Sequence, residues 1–335
     1  MAERMRDICD AFQGKRVLVI GDAVADQFLN GEISRVSREA PVFILRHEQT
    51  VTLPGAAANA AANVATLGGT AVLLGFVGDD GNGEMLRRSL SDAGVDTSHL
   101  ITVSGSTTPT KLRVLAGTEY AIRQQVIRID YEPSTAVDER LYGDLIGIIH
   151  AEAAKAAAII VSDYGYETVG PQIFDAIRIV AGEHKIPLVV DSRRRLLDFA
   201  GATTATPNRE EVEQIFAHAS TEDDCSSLRE RLGLETLLVT DGSRGMTLYR
   251  KDQHPMAMPV VGSKEPVDVT GAGDAVVAAY TLALSAGASY GMAAEIANHA
   301  GGIAVMKKGT GTVSRGELLQ SIGSAEAASS SSHMS

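Results

Sequence analysis

Asp268-Val269-Thr270-Gly271-Ala272-Gly273-Asp274 runs straight into Ala275-Val276-Val277-Ala278-Ala279, an Ala/Val-rich stretch that reads as a buried helix. A Gly-x-Gly turn at a helix entrance leaves backbone N–H groups unpaired and pointing outward, where the helix dipole adds roughly half a positive charge. That is an anion hole, suited to the charge that develops on a transferring phosphoryl group. Asp274 falls in the first turn of the same helix, within reach of a hydroxyl aimed into the hole. A carboxylate there fits removal of a proton from an attacking alcohol. An isolated Gly-x-Gly-Asp would serve equally as a tight turn with a capping acid, so the rest of the chain has to choose between the two.

Outward from this turn, short apolar runs rich in β-branched residues alternate with Ala/Leu-rich segments. Residues 16–21, 71–78, 157–162, 186–191, 203–206 and 236–240 read as strands bounded by Gly, Asp or Pro. Residues 58–67, 84–93, 140–157, 171–182 and 210–216 read as helices. Continuous apolarity in the strands means burial on both faces, hence an α/β fold with a mostly parallel sheet between helical layers. Ligands in such folds gather at the carboxyl ends of the strands. Asp22, Asp163, Asp191 and Asp241 stand at those ends as a candidate rim. Two stretches, about 28–52 and 107–130, break the rhythm by alternating apolar with polar residues, as in Lys111-Leu112-Arg113-Val114-Leu115. Alternation means one packed and one wet face, so these segments are expected to form a small antiparallel β-sheet lid over the strand-end crevice. No internal repeat and no Pro/Gly linker mark a second domain. Residues 1–323 are therefore expected to form one domain with the lid inserted. The Ser/Ala-rich residues 324–335 are expected to be a disordered tail ending in an expression remnant.

The 335-residue chain is 44 % hydrophobic and 21 % charged, which supplies ample core for a large α/β domain. A net charge of −12 argues against nucleic acid or an anionic membrane as the main partner, since both are bound through clustered cations. Cys9 and Cys225 lie far apart without metal-ligand company and read as reduced thiols of a cytoplasmic protein. The first 14 residues lack the apolar core of a signal peptide, and no run approaches the ~18 apolar residues of a membrane span.

The seven residues 268–274 resemble the Asp-Thr-Thr-Gly-Ala-Gly-Asp signature of the ribokinase/PfkB carbohydrate kinases, with Val269 the one difference. The resemblance extends over roughly residues 15–319. It implies a ribokinase-like three-layer α/β/α fold, with ATP and Mg²⁺ as cofactors and Asp274 as base over the Gly271, Ala272 and Gly273 anion hole. Leu53-Pro54-Gly55-Ala56-Ala57-Ala58-Asn59 resembles the family's glycine-rich segment, implying that Gly55 and Asn59 hold the sugar; Ala56 stands where the family usually has a second Gly. Gly21-Asp22-Ala23-Val24-Ala25-Asp26 resembles the first-strand motif whose last Asp binds sugar hydroxyls, so Asp26 is the first candidate and Asp22 the second. Thr206-Pro207-Asn208-Arg209-Glu210-Glu211 matches an Asn-x-x-Glu element, implying Asn208 beside the nucleotide phosphates and Glu211 beside Mg²⁺, mostly through water. Thr240-Asp241-Gly242-Ser243-Arg244-Gly245 is similar to a nucleotide loop, implying backbone contacts at Thr240, Gly242 and Gly245, with Arg244 on a phosphate. Asn298 matches a residue of the adenine pocket. Asp268 and Thr270 resemble a monovalent-cation (K⁺) site of some members.

Within the family the chain most resembles the branch that phosphorylates D-glycero-D-manno-heptose 7-phosphate at C1. That likeness rests on Val36-Ser37-Arg38-Glu39-Ala40-Pro41-Val42, Thr110-Lys111-Leu112-Arg113-Val114, Ile127-Arg128-Ile129-Asp130, Ser162-Asp163-Tyr164 and Lys308-Gly309-Thr310-Gly311-Thr312-Val313-Ser314. A sugar phosphate needs cations, and Lys111, Arg113, Arg128 and Arg193-Arg194-Arg195 are candidates, with Asp163 as a further substrate contact. The chain departs from the branch at Tyr166, where Lys is usual, and in extra residues around 116–121. Ribokinase-, fructokinase- and adenosine kinase-like substrates stay open, as does a non-catalytic sugar or nucleotide sensor. The exposed edges of the lid lead us to expect a homodimer through it.

Overall fold

The computed structural model describes residues 1–117, 123–263 and 265–332, with the side chains of its final helix described as far as Ala325. In chain order the elements begin with α1 (Ala2–Asp10), β1 (Arg16–Gly21), β2 (Ala23–Val36), β3 (Phe43–Ala56), α2 (Ala57–Thr66), β4 (Thr70–Gly78), α3 (Gly81–Asp92), β5 (Leu100–Val103), β6 (Thr110–Gly117) and β7 (Gln124–Tyr131). They continue with α4 (Glu139–Ala153), β8 (Ala158–Asp163), α5 (Pro171–His184), β9 (Leu188–Ser192), β10 (Thr204–Ala205), α6 (Arg209–Phe216), α7 (Glu222–Arg231) and β11 (Thr236–Thr240). The last are β12 (Met246–Arg250), β13 (Met256–Met258), α8 (Ala272–Ser285), α9 (Tyr290–Ala304) and α10 (Arg315–Ser332).

The central sheet has nine strands in the order β13-β12-β11-β10-β9-β8-β1-β4-β5. The strands from β11 to β5 pair parallel, while β12 and β13 add antiparallel at one edge. Burial on both faces is visible within β1. Val17 and Val19 pack into a core built with α1, α2, α3, α8, α9 and α10, whereas Leu18 and Ile20 pack into one built with α4, α5, α6 and α7. This is the expected three-layer arrangement. Parallel pairing lines up the carboxyl ends of β1, β8, β9 and β11 on one edge, and the helix-initiating turn at Gly271 opens onto that edge.

The lid is a second sheet of four strands in the order β3-β2-β6-β7. It was expected to be antiparallel, and its two outer pairings are, but the central pair β2–β6 is parallel. The reason is topological: β2 leaves the core directly after β1, whereas β6 enters from β5, so both run outward from the same edge. Register puts Asp26 beside Lys111, Phe28 beside Arg113, and Arg113 beside Arg128, all on one face. Of the expected loop extension at 116–121, residues 116 and 117 end β6 and residues 118–121 lie outside the described ones. α10 continues to Ser332, so helix replaces the irregular structure expected after Ser324. Ala-rich sequence propagates cheaply from a formed helix. Residues 333–335 lie outside the described ones.

Candidate active site

Gly271 caps α8 with φ 79°, and a Cβ there would come within 2.6 Å of Asn59 Nδ2. Glycine is required twice over, by its left-handed backbone and by that approach. The N–H groups of Gly273 and Asp274 have no acceptor among the described residues, and Gly273 faces open space. The anion hole inferred from sequence is therefore physically open. Asp274 is 2 % exposed. Its Oδ2 accepts from Asn59 Nδ2 at 2.7 Å and its Oδ1 from the Tyr164 hydroxyl at 2.9 Å. Burial pushes its carboxyl up to about 6, against the opposing pull of those two donors and of the Arg193 charge. A carboxyl at that level is ionised at neutral pH yet basic enough to take a proton.

In front of this turn lies a cavity of about 550 Å³, whose lining includes Lys111, Arg113, Arg128, Tyr164, Arg193 and Arg194. Asp191, Thr206, Asn208 and Glu211 line it as well. A slot of about 160 Å³ adjoins it, sharing Thr240, Val269 and Gly273. Thr240, Gly242, Gly245 and Asn298, expected to hold the nucleotide, all line this slot. Asn298 Nδ2 donates to the Pro259 carbonyl at 2.7 Å, so it braces the slot wall. Val269, the departure from the family motif, is 66 % exposed at the junction of the two spaces. A further cavity of about 560 Å³ lies beside Asp22 and Tyr142, and the Gly271–Gly273 turn does not line it.

Several expected contacts turn out to be committed within the protein. Asp22, 1 % exposed, accepts from the backbone N–H groups of Tyr164 at 2.7 Å, Tyr166 at 3.1 Å and Thr168 at 3.2 Å. Asp163 accepts from Ser192 Oγ at 2.6 Å and from the Arg195 guanidinium. Buried carboxylates need donors, and these two find theirs in the scaffold. Arg195 is thereby withdrawn from the cation cluster, and Asp241 accepts from both Arg209 and Arg244. Of the four rim acids, Asp191 alone lines the cavity. Burial and the charges of Glu211 and Asp274 push its carboxyl well above the usual range.

Asn59, expected on the sugar, is fully buried, with Nδ2 on Asp274 and Oδ1 accepting from Asn63 at 3.2 Å. Asn63 was not singled out; its signal is the four-residue spacing that puts it on the same face of α2. Asp26 pairs with Arg113 at 2.5 Å, and a Cβ on Gly55 would meet Asp26 Oδ2 at 2.6 Å. Gly55 thus makes room for the carboxylate. Asn208 and Glu211 form a capping box on α6 at 2.9 and 2.8 Å. Burial still pushes Glu211 up to about 7. Thr206 lines the same cavity, and its Oγ1 is buried without a hydrogen-bond partner among the described residues. Asp268 accepts from Thr270 N and Gly309 N, both at 2.9 Å, and so ties the anion-hole turn to the segment after α9.

The family profile described as "pfkB family carbohydrate kinase" matches residues 15–315. The chain belongs to the pfkB family of carbohydrate kinases. This pfkB kinase is 37 % identical over 308 residues to the bifunctional protein HldE of Azorhizobium caulinodans, covering 90 % of the chain and 63 % of the relative. It is 39 % identical over 326 residues to HldE of Shewanella amazonensis, covering 95 % of the chain and 66 % of the relative. It thus spans a little under two thirds of the curated relatives it matches. Its fold is similar to that of Arabidopsis thaliana ribokinase complexed with ribose and ATP (TM-score 0.69, 20 % identity, 92 % of this chain and 99 % of that one). It is also similar to Escherichia coli phosphofructokinase-2 in complex with potassium (TM-score 0.75, 19 % identity, 94 % and 99 %). The pfkB kinase is a sugar kinase on a ribokinase-like fold. Among the described residues no helix is long and apolar enough to cross a membrane.

Proposed function

We propose that the protein transfers the γ-phosphoryl group of ATP to C1 of D-glycero-D-manno-heptose 7-phosphate. The observation that carries the transfer is a buried, two-donor-held Asp274 beside the open N–H groups of its own helix. The adenine would lie in the slot at Asn298 and the phosphates would run over Gly273 to the anion hole. The acceptor hydroxyl would then face Asp274, which takes its proton as oxygen attacks, a role typically worth about 10²–10⁴-fold. Charge on the migrating group is met by backbone N–H dipoles that need no reorganisation. Glu211 and the unpartnered Thr206 hydroxyl are oxygen groups that fit Mg²⁺ held largely through water, and the ion would neutralise phosphate charge.

A phosphorylated substrate is supported by the cations. Arg113 and Arg128 are paired with Asp26 and Asp130, while Lys111, Arg193 and Arg194 line the cavity with no carboxylate salt bridge among the described residues. Cations in that state suit a phosphate. The HldE relatives and the motif resemblance favour the heptose. We further propose a homodimer through the lid, since Ile127, Ile129 and Tyr131 of β7 expose 53, 40 and 41 % of their surface.

ADP release should be measured across heptose 7-phosphate, ribose, fructose, fructose 6-phosphate and adenosine. The heptose phosphate should turn over fastest, and Asp274→Asn should lower that rate by about 10²–10⁴-fold while leaving sugar binding nearly intact. A faster unphosphorylated sugar would refute the substrate assignment. Near-normal turnover by the variant would refute the base.

A further inference from the structure

Both oxygens of Asp274 are held, and by unlike groups. Asn59 comes from α2 and is itself locked by Asn63. Tyr164 comes from the loop after β8, which the resemblance marks only as part of a branch motif. Its hydroxyl lies 2.9 Å from Oδ1, and its ring lines the cavity. We propose that Tyr164 is a positioning residue for phosphoryl transfer, fixing the plane of the Asp274 carboxylate and holding its proton affinity down. The proposal rests on Asp274 being the base and adds a residue that acts through it.

The geometry of the loop explains why the phenol can do this. The Asp22 carboxylate gathers the N–H groups of Tyr164, Tyr166 and Thr168, and Asp163 is tied to Ser192 and Arg195. Two buried acids thus fix the backbone on either side of the Tyr164 Cα. Above the ring, the Arg193 guanidinium sits 4.5 Å from the centroid and the Lys111 ammonium 5.3 Å. Cations over an aromatic face draw electron density from it and make its hydroxyl a better donor. Burial and the neighbouring Asp274 and Asp191 charges push the phenol's own ionisation well above its usual range. It therefore stays a donor throughout the working pH range.

A donor on a carboxylate favours the ionised form. The charged groups facing Asp274 are Arg193 and Asp191 of the β9 end and Asp26 of β2, with the neutral Tyr164 phenol after β8 and the neutral Asn59 amide from α2. Removing the phenol leaves the two acids opposed by Arg193 and one amide. Asp274 then protonates at higher pH, and the carboxylate regains rotation about its last torsion. Loss of alignment lowers kcat, whereas the sugar contacts are untouched.

The test is the pH profile of kcat and kcat/KM with heptose 7-phosphate and ATP. For Tyr164→Phe the acid limb should move up by about one pH unit, with kcat down about 10-fold or more and the sugar KM changed less than about 3-fold. Because the Phe variant could misfold, 3-fluorotyrosine is placed at 164 in parallel. It keeps the shape but donates more strongly, so its acid limb should move down instead. Limbs that coincide with the wild type in both proteins, or that shift in the same direction, would overturn the assignment. Asp274→Asn separates the two layers: if it retains turnover, the base reading fails. If it is inactive while the Tyr164 limbs stay still, only the positioning role fails.

Discussion

A carboxylate with 2 % exposure has been stripped of water, and the fold bears that cost whenever Asp274 is ionised. Its proton comes off at 3.8 in the reference state and at about 6 in the fold. Below 3.8 both states are protonated and no penalty exists. As pH rises towards about 6 the unfolded chain loses its proton first, so stability falls, and above about 6 the loss is complete. Activity runs the other way, because the base is competent only when ionised. Asp274→Asn removes the charge and keeps polar partners for Asn59 and for the Tyr164 oxygen. The variant should therefore be more stable than the wild type, with the gap in urea unfolding free energy widening by roughly 1 kcal/mol between pH 5 and pH 7.5. A gap independent of pH would show that Asp274 titrates normally. At this scale much of the site is legible in the sequence. Gly271, Gly273 and Asp274 announce themselves because one turn must supply both amides and acid. Asn59 was legible as a residue but not in its role, since the partner Asp274 lies 215 positions away. Asp22 and Asp163 look like ligands in sequence for the same reason that they are useful in the scaffold: a strand-end carboxylate meets free N–H groups from whichever loop arrives there.

Elements show a similar competition between local and distant uses of one residue. Asn208 and Glu211 match a family motif and also a capping box, and the structure shows the box. The box satisfies two orphan donors of α6 and is worth about 1 kcal/mol. Asn208→Ala should therefore lower unfolding free energy by about 1 kcal/mol, whereas Asn208→Asp should retain it, since a carboxylate also caps and suits the helix dipole. If Asn208 in addition lies near nucleotide phosphates, the Asp variant will raise the KM for ATP without losing stability, and chemical denaturation paired with initial rates separates the two. An Ala variant as stable as the wild type would show that the cap contributes nothing. The main-sheet strands β1, β4, β8, β9, β10 and β11 were legible because burial on both faces writes continuous apolarity into them. α7 escaped notice because it is charged over most of its length; its signal is the Thr221–Asp224 capping box. β12 and β13 escaped because Met246–Arg250 and Met256–Met258, at a sheet edge, contain no Val or Ile run like those of the central strands, and the four-residue edge strand β5 escaped as well. The parallel β2–β6 pairing could not be read at all, since alternation reports which face is wet and not the direction of the neighbour.

For the whole molecule, the lid carries two unlike faces on one sheet. On one face Lys111, Arg113 and Arg128 line the cavity, with Asp26 and Phe28 beside them in register; the alternate positions of β7 carry Ile127, Ile129 and Tyr131. A working lid needs its charged face free for substrate, so any partner has to meet the other one. Exposed apolar residues along an edge strand are a liability in a monomer and an asset in an interface. A second copy fits best, because a two-fold axis would set the same apolar strand against itself without burying a charge. Light scattering coupled to size exclusion should give a dimer mass for the wild type at micromolar concentration and a monomer mass for Ile127→Lys/Ile129→Lys. Lysine at both sites places like charges across the axis and adds desolvation, so dissociation rather than mere weakening is expected. Thermal unfolding of the variant at low concentration should match that of the wild-type monomer, which would locate the effect in association. A wild type that elutes as a monomer, or a double variant that stays dimeric, would place the contact elsewhere or remove it.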